Sequence, residues 1–249
     1  EKEMKRIPVL SAVLLLGLGS AAPAADVMSF QKAYFGSTKP GSWVRYEQTN
    51  TDAKGKVQKT EVTLSHLESD GGRITFEMRS VPKEGGKKDK PVTMRYVLNT
   101  DFKPEKNALN YMKHVEKMVF QVEGEKAMEY PPDMMSQVAA AFVSNVDYDA
   151  NVRPDGACGA EGRSGEKYAI SGSFDFKIAF VRMRGTTETE LCMSDSVPFG
   201  RLSERTVSKD EKGRVTSTTE MRVLETGTGA KTSIKGPVEK VEMPKLPWG

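Results

Sequence analysis

Side chains able to do chemistry are few in this chain and stand far apart. It has two histidines, His66 and His114, and two cysteines, Cys158 and Cys192. Neither histidine lies in a recognisable motif, and a hydrolytic activity would have to depend on one of them. A serine nucleophile needs a sharp turn and a base within hydrogen-bond reach, and Gly162-Arg163-Ser164-Gly165 lacks the spacing of a nucleophile elbow. Ser164 is therefore read as part of a loop. No Cys/His cluster and no pair of histidines at ligand spacing suggests zinc. Asp147, Asp149, Asp155 and Gly156 resemble a calcium loop only loosely, without the terminal Glu of the helix-loop-helix motif. No Gly-rich loop stands between a strand and a helix, which removes the nucleotide-binding motifs. The expectation is a non-enzymatic protein with no metal and no cofactor.

What the chain carries instead is apolar surface of two kinds. Tyr168, Ile170, Phe174, Phe176, Ile178 and Phe180 share one parity, and Lys167, Ser171, Ser173, Asp175 and Lys177 take most of the other. That period of two predicts a long strand over Lys167–Arg184 with one apolar, mostly aromatic face. Methionines are also frequent, among them Met112, Met118, Met128, Met134, Met135, Met183, Met193 and Met221. Thioethers fill cores and also suit surfaces that adapt to greasy ligands, and both uses stay open here. Copper binding is disfavoured because these residues are scattered.

The elements around that strand are mostly β. Ser42–Asn50 and Val57–Leu67 flank the turn Asp52-Ala53-Lys54-Gly55. After Ser69-Asp70-Gly71-Gly72, Ile74, Phe76 and Met78 alternate with polar residues, as do Val92, Met94, Tyr96 and Leu98 beyond a Lys/Gly loop. Four strands joined by short polar turns predict an antiparallel meander. Pro104–His114 reads as a short helix, and Met118, Phe120 and Val122 as a strand. Asp133 caps an expected helix from Met134 to about Val146, with Met134, Met135, Val138, Phe142 and Val146 on a broad apolar face. Asn151–Glu166 is expected to be irregular, Gly185-Thr186-Thr187 to be a turn, and Leu191–Met193 to lie in the strand after it. A last hairpin pairs Leu202–Ser208 with Val215–Glu225, and its turn Asp210-Glu211-Lys212-Gly213 echoes Asp52–Gly55. Hairpin chemistry explains the echo as well as duplication does.

Met4 to about Ala24 has the order of a secretory signal: Lys5 and Arg6, an apolar run from Val9 to Leu18, then Ala22-Pro23-Ala24. The run is too short to span a bilayer. With Lys2, Lys5 and Arg6 removed from 37 basic residues, and Glu1 and Glu3 from 34 acidic ones, the expected mature chain holds 34 against 32. A charge near zero, with both signs interspersed, argues against nucleic acid and against strong recruitment to anionic membranes. The exported compartment predicts one disulfide, Cys158–Cys192. The domain organisation expected is a signal segment over 1–24, one β-rich domain over 25–235 and a tail over 236–249, with no transmembrane segment after signal removal.

The Trp43-Val44-x-Tyr46 opening strand, the Pro-preceded apolar helix, Ser171-Gly172-Ser173-Phe174, and Ser194-Asp195 followed by Val197-Pro198-Phe199-Gly200 give the chain a family likeness. It resembles uncharacterised exported bacterial proteins related to the lipoprotein-carrier (LolA/LolB-like) fold. The resemblance implies a mainly β fold, a curved antiparallel sheet or half-barrel with one or two covering helices and a hydrophobic cavity for lipid. None of the residues by which such a carrier hands on its cargo is matched here. The pocket would lie between helix and sheet, lined by Phe174, Phe176, Ile178, Phe180, Met134, Met135 and Phe142. The expected partner is a lipid or lipidated ligand in the periplasm or outside the cell. The alternative is a ligand-free structural or interaction module that meets an envelope protein through its loops and tail.

Overall fold

A computed structural model describes residues 38–83, 89–101, 114–132, 146–160, 162–178 and 181–241, with the backbone alone for 146–150, 176–178 and 181. Residues 1–37, which hold the expected signal segment, lie outside the described residues, as do 102–113 and 133–145, which hold the bulk of the two expected helices.

Among the described residues twelve strands form one sheet. They are β1 (Trp43–Asp52), β2 (Val57–Asp70), β3 (Arg73–Pro82), β4 (Val92–Asn99), β5 (Val115–Val122), β6 (Ala127–Tyr130), β7 (Val146–Ala160), β8 (Arg163–Ile178), β9 (Val181–Met193), β10 (Arg201–Asp210), β11 (Val215–Gly227) and β12 (Val238–Lys240). The spatial order is β12-β6-β5-β4-β3-β2-β1-β11-β10-β9-β8-β7, an open sheet built from two antiparallel meanders joined where β1 pairs with β11. The short polar turns make this order, because each reverses the chain onto its neighbour. The two echoing turns are alike in detail: Asp52 Oδ1 accepts from the backbone N–H of Lys54 and Lys56, and Asp210 Oδ1 from those of Lys212 and Arg214. Gly55 and Gly213, at φ of 77° and 75°, close them with the backbone conformation that a side chain disfavours. These hydrogen bonds hold both Asp carboxyls below their usual range, with the side chain of Arg214 adding the largest effect at Asp210.

Bulges interrupt the register in β2, β10 and β7, and each bends its strand. The sheet curves, so that one face gathers a core from β1 to β5 and from β9 to β11, including Val44, Tyr46, Phe76, Met94, Leu202 and Val223. The opposite face carries ion-pair ladders such as Arg222–Glu47, Arg79–Glu123 and Arg45–Glu225.

The C-terminal segment crosses that outer face as a strap. Ala230 N–H donates to Gly41 O, Ser233 N–H and Thr232 Oγ1 donate to Glu77, and Lys235 exchanges two hydrogen bonds with the Gln121 amide. β12 then pairs in parallel with β6. The expected tail from 236 thus begins with a strand of the sheet, and the charged Glu77 is 2% exposed because the strap lies over it.

Three expectations are corrected. The Lys167–Arg184 stretch is two strands, since β8 ends at Ile178 and β9 begins opposite it at Val181. Gly185 is no turn; it lies inside β9, where a Cβ would stand 2.0 Å from Lys209 O, so the glycine answers to close backbone approach. Asn151–Glu166 is not irregular but forms the end of β7 and the start of β8, an edge hairpin whose bulge between Pro154 and Ala157 absorbs the proline and the glycines. The four-residue β6 has too little alternation to be read from sequence.

Candidate functional site

The inner, core-bearing face is the candidate site, and its rows change character along the strands. At one end stand Phe76 and Tyr96, stacked with centroids 5.0 Å apart, with Met78, Met94 and Leu98 beside them. Alternation in β3 and β4 places all five on this face. The Tyr96 hydroxyl donates to Met94 Sδ at 3.1 Å, and burial pushes the phenol pKa up. The five side chains are buried, in one cluster with Cys192 and Leu202 from the other half of the same sheet and Phe199 from the turn between them.

Toward the other end the same face turns polar. One row across β1, β11, β10 and β9 reads Gln48, Met221, Glu204, Leu191, and the next reads Asn50, Thr219, Thr206, Thr189. These residues are hydrogen-bonded to one another: Thr219 Oγ1 donates to Asn50 Oδ1, Thr206 Oγ1 to Glu204 Oε1, and the Thr189 and Thr206 hydroxyls stand 2.8 Å apart. Arg201 Nη1 lies 3.0 Å from Glu204 Oε2, a buried charge pair. That contact is not aligned as a hydrogen bond, because Glu204 Oε2 is left without a donor, as is the buried Gln48 Oε1. Burying a polar group without a partner is costly.

Of the expected pocket residues, Phe174 is half-buried in β8 and rests over Gly185, where an added Cβ would meet its Cζ at 2.7 Å. With Ser173, Asp175, Arg184 and the Asp210–Gly213 turn it borders a solvent-open cleft of about 470 Å³. Asp175 accepts from Arg182 at 2.9 and 2.6 Å and from Arg184 at 3.0 Å, and these guanidinium bonds hold its carboxyl far below the usual range. Phe176 and Ile178 stand in β8 opposite Met183 and Val181. Phe180, Met134, Met135 and Phe142 lie outside the described residues. The β1–β4 wall and the polar rows were not assigned to a site from sequence, although the alternation of Phe76, Met78, Met94 and Tyr96 carries the signal for the wall.

Cys158 and Cys192 are joined, with Cα atoms 6.0 Å apart. They belong to β7 and β9, which flank β8, and two strand spacings are about 9.5 Å, so the end of the β7–β8 hairpin folds over onto β9. Gly165 sits at the crossing, where a Cβ would meet Met193 O at 2.1 Å, and Ser194 Oγ donates to Ser164 O at 2.6 Å. Ser164 therefore holds a fold contact through its backbone. His66 is buried, shares hydrogen bonds with Thr38 Oγ1 at 2.6 Å and Ser69 Oγ at 2.7 Å, and has its pKa lowered, chiefly by burial. It ties the lead-in at Thr38 to the end of β2. Among the described residues no group of three or more His, Cys, Asp or Glu could hold a metal ion.

Neither a protein-family model nor a curated protein sequence matches the chain. Several solved structures do. A protein from Bacteroides fragilis, described by its expected export and its YmcC-like fold, is 6% identical with a TM-score of 0.37, covering 76% of this chain and 97% of that one. A DUF1329 family protein from Desulfovibrio piger is 9% identical with a TM-score of 0.37, covering 86% and 96%. A LolA superfamily protein from Nitrosomonas europaea is 6% identical with a TM-score of 0.29, covering 85% and 96%. Each is a likeness of fold, and none carries an inference about activity or ligand.

Proposed function

We propose that this is an exported, non-enzymatic protein of the cell envelope that holds an amphipathic lipid or similar hydrophobic ligand against the inner face of its sheet. One observation carries the reading. A continuous apolar wall of Phe76, Met78, Met94, Tyr96 and Leu98 passes, on the same face, into a row of buried hydroxyl, amide and charged side chains. The cross-strand hydrogen bonds of that second half serve the sheet, and the same two halves suit a ligand with a greasy end and a polar end. The signal-like N-terminus and the disulfide support export. The engagement of both His66 ring nitrogens in fold-holding hydrogen bonds supports the absence of catalysis there.

The test is native mass spectrometry of the protein released from the periplasm by osmotic shock, without detergent. The expected result is an adduct of lipid mass that organic extraction removes, and stoichiometric uptake of a pyrene-labelled fatty alcohol by the extracted protein. A single unliganded mass together with no uptake overturns the reading.

A further inference from the structure

Gln48 and Glu204 stand at the junction between the apolar wall and the polar rows. They occupy one row on either side of Met221, so their Cα atoms are about 10 Å apart, two strand spacings, within the combined reach of two side chains. The row before it holds Tyr46 and Val223, and the row after it holds Asn50, Thr219 and Thr206. Gln48 is 4% exposed and Glu204 is 9% exposed, and each presents a buried oxygen with no hydrogen-bond donor among the described residues. Both orphans are acceptors. Arg201 balances the charge of Glu204 at 3.0 Å without donating a hydrogen bond to Oε2, and Tyr46 Oη donates to Arg201 O at 3.1 Å.

Resting on the inner-face reading above, we propose that Gln48 and Glu204 form the polar subsite of the ligand and select a head group that donates hydrogen bonds, an ammonium or a hydroxyl, over one that only accepts. A donor that reaches past Met221 to these oxygens supplies the hydrogen bonds they lack, whereas a carboxylate there adds another acceptor beside them. Selection against an analogue that lacks the needed donor is strong when the site's own groups are left unpaired.

Affinities of the full-length mature protein are measured by displacement of the pyrene-labelled fatty alcohol with four twelve-carbon amphiphiles: dodecylamine, monolaurin, laurate and dodecyltrimethylammonium. The first two carry donors, the third carries acceptors, and the last carries charge without a donor. Dodecylamine and monolaurin are expected to bind about tenfold tighter than the other two, the scale of leaving a buried acceptor unpaired. The shape-conserving Gln48→Met variant is expected to lose most of that preference while holding dodecyltrimethylammonium as before. Equal affinity for all four head groups overturns the subsite and leaves the inner-face reading standing. Failure to bind any of them overturns that reading as well. The head-group comparison is made on the unaltered protein, so it decides the matter even where Gln48→Met does not fold.

Discussion

Replacing Glu77 is expected to detach the C-terminal strap from the outer face. Glu77 points outward from β3, is 2% exposed, and accepts from Thr232 Oγ1 and Ser233 N–H, both at 2.6 Å. Hydrogen bonds to a charged group contribute about 1.5–3 kcal/mol each, and the cost of burying the carboxylate offsets part of the gross sum. Glu77→Ala should therefore lower the unfolding free energy by roughly 2–4 kcal/mol. Glu77→Gln keeps the shape and one acceptor oxygen and should cost about half as much. The second anchor of the strap is Gln121, which accepts from Lys235 N–H at 2.9 Å and donates to Lys235 O at 2.8 Å. Because both residues hold one segment, the double variant with Gln121→Ala should depart from additivity. Urea unfolding reads the free energy, and amide exchange at Ser233 and across Val238–Lys240 reads the strap itself. Fast exchange there with slow exchange in β3 and β4 is the expected pattern. A loss under about 0.5 kcal/mol with exchange in β12 unchanged would show that β12 holds the segment without the Glu77 anchor.

Phe199 is fully buried at a φ of 64°, a left-handed backbone held by an aromatic residue. Phe199→Ala should cost about 3–5 kcal/mol as a cavity, and Phe199→Gly about 1 kcal/mol less than the alanine variant because glycine is unstrained there. Equal losses in thermal unfolding would remove the strain from the account. Cys158→Ser with Cys192→Ser opens a loop of 34 residues, worth about 4 kcal/mol in the chain-entropy model; an unfolding midpoint unaltered by reduction would contradict it. The lowered His66 pKa also has a sign. Above about pH 6.5 both folded and unfolded imidazoles are neutral and stability is full. As the pH falls from there through the lower folded value, the unfolded chain binds the proton first and stability is lost. The urea midpoint should drop between pH 7 and 5 in the unaltered protein and drop less in His66→Gln, and parallel profiles would refute the assignment.

The β1–β4 meander and the last hairpin were legible in the sequence because their alternation is clean, and the turns Asp52–Gly55 and Asp210–Gly213 carry Asp at the first position and Gly at the fourth. Asp52 and Asp210 organise their turns by the same hydrogen bonds, which is why a short local pattern sufficed. The strap was not legible. Its grip depends on Thr232 and Ser233 reaching Glu77, about 155 residues earlier in the chain, and no local period records such a contact. Gly185 and Gly165 misled for a related reason: glycine reads as a turn, and here it serves close approach of strands that the sequence does not show to be neighbours. Of the candidate site, the wall residues carried their signal in β3 and β4, whereas Gln48 and Glu204 looked like ordinary polar positions. What singles them out is the row they share across Met221, which exists only once β1, β11 and β10 lie side by side.

The two faces of the sheet are stabilised by different means, and this bears on where a ligand could act. The outer face of β3 to β5 is closed by hydrogen bonds from a segment of the same chain, so Glu77, Thr93, Val119 and Gln121 are buried without taking part in the inner core. Stability of the meander therefore does not have to come from the inner face alone. A face relieved of that demand tolerates a buried row whose acceptors are unpaired, since a few kcal/mol lost there are supplied elsewhere in the same sheet. If the inner rows existed only to hold the fold, apolar residues of similar volume at Gln48 and Glu204 would serve better, as buried ion pairs generally contribute less than good packing. Arg201, Glu204 and Gln48 are in this sense a stability cost on the inner side, offset by the hydrogen bonds of the strap on the outer side.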